Sequence, residues 1–127
     1  RYDDVVAEVT QFLSDRVAVC VEAGIARALL LVDPGLGFGK APHDNVELLA
    51  NLRQLDQIGL PVLVGISRKS TLGAITGRDV EQRLAASLAA AVVAVERGAS
   101  IIRAHDVAET VDALKIVRAV TDMEDNK

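Results

Sequence analysis

The sequence of 127 residues contains few of the residues that commonly build disulfide or zinc frameworks. It has one cysteine, two histidines, three prolines, no tryptophan and an aromatic content of 2%. A single cysteine excludes a disulfide framework, so we expect a reducing compartment, the cytoplasm. The histidines, His43 and His105, lie too far apart in the sequence for the ligand spacing of a zinc site.

Long apolar runs and an excess of positive charge are also absent. The net charge of −4 argues against non-specific nucleic-acid binding. No apolar run approaches the ~20 residues of a membrane helix, and acidic residues interrupt residues 1–20, which therefore do not resemble a signal peptide. We expect neither nucleic acid nor membrane as a partner. Half of the residues are hydrophobic and a quarter charged, as in soluble globular proteins.

Helices and strands are predicted in alternation along the chain. Short apolar runs bounded by glycine or proline predict three buried parallel strands, at 29–33, 62–66 and 101–103. Asp44 followed by Glu47 resembles a capping box at the start of the second helix. Apolar residues three and four positions apart predict four helices, at about 3–23, 44–58, 80–97 and 108–120.

The alternation indicates an α/β fold built from βαβ units with right-handed crossovers. It fits either an open doubly wound sheet or a part of a (β/α)8 barrel. Three parallel strands are too few to close a barrel, and the first helix has no strand before it. Residues 1–127 are therefore expected to be one part of a larger fold.

The first predicted strand ends in Asp33 and is followed by a glycine-rich segment, residues 33–40, with the sequence DPGLGFGK. Its glycines allow sharp turns and a close approach of the backbone to another group. Two interpretations are open for this segment alone. Asp33 is either a solvated residue of a strand-exit turn or part of a ligand site at the carboxyl edge of the sheet.

Polar residues also follow the other two strands. The second is followed by Ser-Arg-Lys-Ser at 67–70, and the third ends in Arg103, with His105 two residues later. Arg103 and His105 project to the same side, because side chains alternate along a strand. The carboxyl ends of the strands thus gather cations and one carboxylate, which suits a ligand with both an anionic group and N–H donors.

Residues 33–40, 67–70 and 103–106 resemble, in order and spacing, the motifs of the dihydropteroate synthase family, and residues 2–8 resemble the helix before them. That family has a (β/α)8 barrel, a fold of about 250 residues. The resemblance implies that residues 1–127 are the carboxyl-terminal half of a pterin-binding TIM barrel, with the amino-terminal half absent from the sequence. Catalysis is then expected only from the full-length barrel.

The family joins 6-hydroxymethyl-7,8-dihydropterin diphosphate to p-aminobenzoate and releases diphosphate. The resemblance implies four catalytic residues. Asp33 would accept hydrogen bonds from the pterin, and Lys69 would donate to the pterin and border the p-aminobenzoate pocket. Arg103 would lie over the pterin and reach the diphosphate, which His105 would also bind.

Further site residues follow from the same resemblance. Gly65 would permit close approach of the pterin, Phe38 would form an apolar wall for p-aminobenzoate, and Ser70 would bind its carboxylate. Ser67 and Arg68 are supporting residues. Taken singly, each of these types is more often structural, a helix cap or a solvated charge, and only their combination favours a site.

The remaining expectations concern metal and partners. The resemblance implies Mg²⁺ bound with the substrate diphosphate, with its protein ligand in the missing half and no metal ligand in this chain. It also implies a homodimer that involves residues ~80–120. Lys40 is interpreted as a solvated charge and His43 as part of a mobile loop.

Two other functions remain open. Pterin-binding methyltransferase domains share the barrel and an aspartate for the pterin, but they do not need Arg103, His105 and residues 67–70 for a diphosphate. The chain could also be a non-catalytic fragment or an interaction subunit. Retention of every expected polar residue disfavours a degenerate relative, though not a fragment.

Overall fold

The structure, a computed structural model, describes residues 1–126, which form a short parallel sheet with helices packed against it. None of the helices within this range is long and apolar enough to cross a membrane. The strands are β1 (Leu63–Val64) and β2 (Ile101–Ile102). The α-helices are α1 (Val5–Glu22), α2 (Pro42–Ala50), α3 (Ser70–Thr76), α4 (Leu84–Glu96) and α5 (Val107–Asp125), and 3-10 segments lie at Arg27–Leu29, Leu52–Ile58 and Val80–Gln82.

The sheet is parallel and follows chain order, as predicted, but it is smaller. β1 pairs with β2, with Leu63 opposite Ile101. The first predicted strand, 29–33, is reduced to one parallel bridge between Val32 and Val62. A 3-10 turn ends at Leu29 and the glycine-rich segment begins at Asp33, so the extended stretch between them is short, and only Val32 within it forms a bridge. The prediction of three strands with four helices is therefore wrong in number.

The helix predictions differ from the structure mainly at helix ends. The capping box at Asp44 and Glu47 is wrong, because α2 begins earlier, with Ala41 as N-cap and Pro42 as first residue. Asp44 sits in the first turn and accepts a hydrogen bond from the Ala41 N–H at 3.3 Å. The short α3 was not predicted, since seven residues are too few to display an apolar stripe.

Two predicted helices are divided in the structure. The second, 44–58, is divided into α2 and the 3-10 segment Leu52–Ile58. The third, 80–97, is divided as well. Its first residues form the 3-10 segment Val80–Gln82, and α4 begins only after Arg83. The apolar residues of both parts continue one helical pattern, so the pattern alone does not reveal the break.

The two faces of the sheet differ in cover. Val32, Val62 and Val64 define the covered face, and they are buried in one apolar cluster with residues of α1, α2 and the Leu52–Ile58 segment. Leu31, Leu63 and Ile101 define the open face, on which Leu31 is 45% and Ile101 39% exposed. The alternation of side chains along each strand sets this division.

Candidate active site at the carboxyl ends of the strands

Asp33, Gly65 and Arg103 belong to the open face, because each follows one of its apolar residues by two positions. The Arg103 Nη1 lies 3.6 Å from the Asp33 Oδ2. Gly65 lies directly beneath the guanidinium, since a Cβ atom there would be 2.5 Å from the Arg103 Nη2. Three strand ends thus contribute to one group of residues, as the sequence predicts.

Asp33 has the turn contact of one interpretation that the sequence left open, and the ligand role of the other stays a prediction. Its Oδ1 accepts a hydrogen bond from the Gly35 N–H at 2.8 Å, which is a turn contact. Its Oδ2 faces Arg103, and a third of the side chain is exposed. The same carboxylate therefore shapes the strand exit and presents acceptor capacity to a ligand.

Lys69 and Phe38 form a second part of the site. The Lys69 Nζ lies 4.2 Å from the centroid of the exposed Phe38 ring and donates a hydrogen bond to the Leu36 carbonyl. Burial lowers the pKa of Lys69, the positive charges of Arg103 and Lys40 lower it further, and Asp33 opposes the shift. An ammonium group close to other positive charges favours the binding of an anion.

His105 is oriented by Ser67, a buried residue for which only a supporting role is predicted. The His105 Nδ1 lies 2.9 Å from the Ser67 Oγ, which also accepts the His105 N–H at 3.2 Å. A cavity of about 180 Å³ lies at this edge, bordered by Gly65, Ser67, Lys69, Arg103, Ala104 and His105. All but Ala104 are predicted site residues.

Arg68 and Ser70 are not among the residues that border this cavity. Arg68 has a left-handed backbone, with φ 59°, and its Nη2 lies 2.8 Å from the Asp106 Oδ1. The hydrogen bonds that Arg68 donates to the Asp106 carboxylate raise the pKa of Arg68. Ser70 is the exposed first residue of α3, for which Lys69 is the N-cap. Ser70 therefore lies within the first turn of the helix and does not cap it.

The interpretation of Lys40 as a solvated charge is wrong. Its Nζ donates to the carbonyls of Gly35 at 2.8 Å and Phe38 at 3.2 Å, so the side chain closes the glycine-rich segment. Burial lowers the pKa of Lys40, although Asp33 and Asp44 oppose the shift. This role depends on the turns of the segment and could not be read from the sequence.

Sequence reasoning also missed two buried residues behind the site, Asn45 and Thr71. The Asn45 Oδ1 accepts the Gly37 N–H at 2.8 Å, and its Nδ2 donates to the Thr71 Oγ1 at 2.8 Å. The available signal was the position of Asn45, three residues before the buried Leu48 on the same helical face. A buried amide there must find hydrogen-bond partners.

Within residues 1–126 there is no group of three or more His, Cys, Asp or Glu side chains that could hold a metal ion. The expectation of Mg²⁺ stays a prediction.

A parallel α/β fold with a carboxylate and several cations at the carboxyl ends of its strands is a class of site that suits ligands with both an anionic group and N–H donors. Comparison with known families narrows this class. Residues 1–105 match the family described as pterin binding enzyme. The chain belongs to this family.

The similar proteins are dihydropteroate synthases, as the motifs predict. The enzyme of Escherichia coli K12 is 48% identical over 127 residues, which is all of this chain and 45% of the relative. The structure from Xanthomonas albilineans in complex with 7,8-dihydropteroate has a TM-score of 0.94 at 54% identity, over 95% of this chain and 47% of that one. The same enzyme has been solved with 4-aminobenzoic acid, with the same TM-score and identity, over 95% of this chain and 45% of that one.

The chain thus spans about half the length of the relatives it matches. Its α/β fold is that of dihydropteroate synthase structures over nearly all of its residues.

Proposed function

We propose that the chain is the carboxyl-terminal half of a dihydropteroate synthase barrel and supplies one side of its active site. In this reaction, the amine nitrogen of p-aminobenzoate bonds to the methylene carbon of the pterin diphosphate. The carbon–oxygen bond to diphosphate breaks, and the amine loses a proton. The observation that carries the proposal is the convergence of Asp33, Lys69 and Arg103 at the end of the open face.

Asp33 and Arg103 suit the pterin. A carboxylate can accept two parallel N–H bonds from an amino-pyrimidinone edge, and such charge-assisted pairs are strong. The Arg103 guanidinium is planar and can stack on a flat ring while it also binds phosphate, which a lysine could not do equally well. Its distance of 3.6 Å from Asp33 leaves the carboxylate only loosely paired, hence open to a ligand.

Phe38 and Lys69 suit p-aminobenzoate. Phe38 offers an exposed aromatic surface beside the Lys69 ammonium. Phe38 could therefore contact the aromatic ring of p-aminobenzoate while Lys69 binds its carboxylate. Ser70 follows Lys69 at the start of α3 and would contribute its hydroxyl to the carboxylate. This assignment rests on the family motif, because Ser70 lies outside the residues that border the cavity.

Arg103 and His105 would bind the leaving diphosphate, with Ser67 orienting the imidazole. Preorganised cations stabilise the negative charge that develops on the leaving diphosphate. The site holds the p-aminobenzoate amine close to the methylene carbon of the pterin, so the reaction needs no covalent nucleophile from the protein. Mg²⁺ on the diphosphate would add positive charge, held by a protein ligand outside this chain.

We further propose that the protein is a homodimer that involves residues ~80–120. Helix α5 carries large apolar side chains in exposed positions, among them Val107 and Ile116. Sedimentation of the protein would show a concentration-dependent dimer, and α5 variants Val107→Ser and Ile116→Ser would shift it to monomer.

A chimaera tests the proposed activity. In it, this chain replaces the matching segment of the Escherichia coli enzyme, and formation of dihydropteroate from the two substrates is measured. We expect turnover, and none from the 127-residue chain alone. Arg103→Met should abolish turnover, whereas the matched Arg118→Met, at an exposed position of α5, should not.

A folded chimaera without turnover would contradict the proposed synthase activity and favour a non-catalytic interaction subunit. A pterin-binding methyltransferase domain would instead bind a pterin without a diphosphate group as tightly as the pterin diphosphate.

A further inference from the structure

Asn45 and Thr71 lie behind the site and connect the two segments that meet at Lys69, the glycine-rich segment and the start of α3. We propose that they are positioning residues, which hold the Lys69 ammonium in place against the Phe38 ring for recognition of p-aminobenzoate. The inference builds on the proposed function, because that function gives Lys69 its substrate.

The first link is a single peptide group. The peptide between Leu36 and Gly37 makes a hydrogen bond at each end. Its carbonyl oxygen, from Leu36, accepts a hydrogen bond from the Lys69 ammonium, and its N–H, from Gly37, donates to the Asn45 Oδ1 at 2.8 Å. A peptide group is planar, so fixing the direction of its N–H also fixes the direction of its C=O. Asn45 therefore aims the acceptor to which Lys69 donates.

The second link leads back to the lysine. The Asn45 Nδ2 donates to the Thr71 Oγ1 at 2.8 Å, and Thr71 lies two residues after Lys69 at the start of α3. The contacts close a ring: the Lys69 side chain, the Leu36–Gly37 peptide, Asn45, Thr71 and the Lys69 backbone. Movement of the glycine-rich segment relative to α3 would break at least one of these contacts.

Close packing reinforces the ring at Gly37. This glycine has φ 90°, a conformation that side chains disfavour, and a Cβ there would lie 2.7 Å from the Lys69 Cδ. The alkyl stem of Lys69 thus rests directly on the peptide that Asn45 holds. Position 37 needs glycine for both reasons.

Burial makes the ring costly to break. Asn45 is 1% and Thr71 2% exposed, so water does not readily replace a lost partner. A side-chain amide carries an acceptor and a donor at fixed separation, as the Gly37 N–H and the Thr71 hydroxyl require. Removing one partner leaves a buried polar group unsatisfied, which costs more than the bond itself contributes.

The test uses the chimaera and the pair Thr71→Val and Thr71→Ser. Valine keeps the shape but removes the acceptor, whereas serine retains the hydroxyl. We expect Thr71→Val to raise the KM for p-aminobenzoate about tenfold, with the KM for the pterin diphosphate changed less than about twofold. Thr71→Ser should stay near the parent enzyme.

Thr10→Val is the matched control. Thr10 is another buried threonine, and its hydroxyl donates to the Val6 carbonyl within α1 at 2.7 Å. We expect Thr10→Val to lower the Tm as Thr71→Val does, but to leave both KM values unchanged. If both valine variants lower the Tm and both keep the parental KM values, the positioning role is refuted.

A second readout does not depend on turnover. The Lys69 amine is ¹³C-methylated, assigned by the loss of its signal in Lys69→Gln, and titrated by NMR. Its pKa should rise toward the ordinary lysine value in Thr71→Val, because the amine is released to solvent, and should not rise in Thr71→Ser. An inactive chimaera would contradict the proposed function alone, and an unchanged pKa in Thr71→Val would then overturn the positioning role.

Discussion

The covered and open faces of the sheet use the same strands for different purposes. On the covered face, Val62 and Val64 pack with Leu52, which is 0% exposed. On the open face, Leu31 and Ile101 remain exposed, and the candidate site lies at their carboxyl end. Stability of the isolated chain is therefore concentrated on one face and its chemistry at the edge of the other, as fits a chain that spans about half the length of its relatives.

Truncating a leucine should reduce the free energy of unfolding far more on the covered face than on the open face. In the 127-residue chain, Leu52→Ala should lower the free energy of unfolding by about 2–5 kcal/mol, because a buried leucine is removed. Leu31→Ala should cost less than about 1 kcal/mol, because its side chain is already partly hydrated. Urea unfolding measures both.

In the chimaera, the remaining strands should cover the open face. Leu31→Ala should then approach the cost of Leu52→Ala. Equal losses for the two variants in the isolated chain would show that the faces do not differ in this way.

Gly65→Ala should affect the open face with little loss of stability. The new Cβ would meet the Arg103 guanidinium, which must move away from Asp33. We expect kcat/KM for the pterin diphosphate in the chimaera to fall by about 10²-fold, the effect of a misplacement near 1 Å.

Gly24→Ala is the control for Gly65→Ala. It lies just after α1 with φ 103° and has open space around it, so it should lose roughly 1 kcal/mol through backbone strain without a change in kcat/KM. Comparable kinetic losses in both variants would argue against a specific contact between Gly65 and Arg103.

The pKa of Lys69 should respond to its neighbours with opposite signs. Arg103→Gln removes a like charge and should raise the Lys69 pKa, whereas Asp33→Asn removes an opposite charge and should lower it. NMR titration of the methylated amine measures both shifts. Shifts of the same sign would contradict the described arrangement of charges.

The lowered pKa of Lys69 also has a consequence for stability. Just below the ordinary lysine pKa of about 10.4, the unfolded chain binds the proton more readily than the folded one. The free energy of unfolding should therefore rise with pH in this window, by an amount that Lys69→Gln removes. Urea unfolding across this range of pH measures it.

The smallest expected effect concerns Arg68 and Asp106. Their pair is partly exposed, so Asp106→Asn should lower the free energy of unfolding only slightly, and less at high salt. Urea unfolding at two salt concentrations checks this. A larger, salt-independent loss would mean that the left-handed backbone of Arg68 depends on the pair.

Sequence patterns predicted the features that are encoded locally. The long apolar periodicity of α1 and α5 and the glycines between elements indicated the alternation and the parallel order. The first strand was predicted too long, because its pairing depends on hydrogen-bond partners rather than on the apolar character of residues 29–31. Only Val32 forms a bridge.

The motifs predicted that Asp33, Lys69 and Arg103 lie at one edge of the sheet, where the structure has them, and their roles stay predictions. The motifs could not reveal that Lys40 closes the glycine-rich segment or that Asn45 supports it. Both contacts join residues through turns whose geometry appears only in three dimensions.

Asp33→Asn in the chimaera tests whether the carboxyl end of the open face recognises the pterin. Asparagine keeps the shape but removes the charge and part of the acceptor capacity. We predict that kcat/KM for the pterin diphosphate falls on the order of 10²–10³-fold with little change in Tm, while the matched Asp15→Asn, at an exposed position of α1, has no effect. Turnover by the Asp33→Asn chimaera at the parental kcat/KM would contradict recognition of the pterin at this end of the open face.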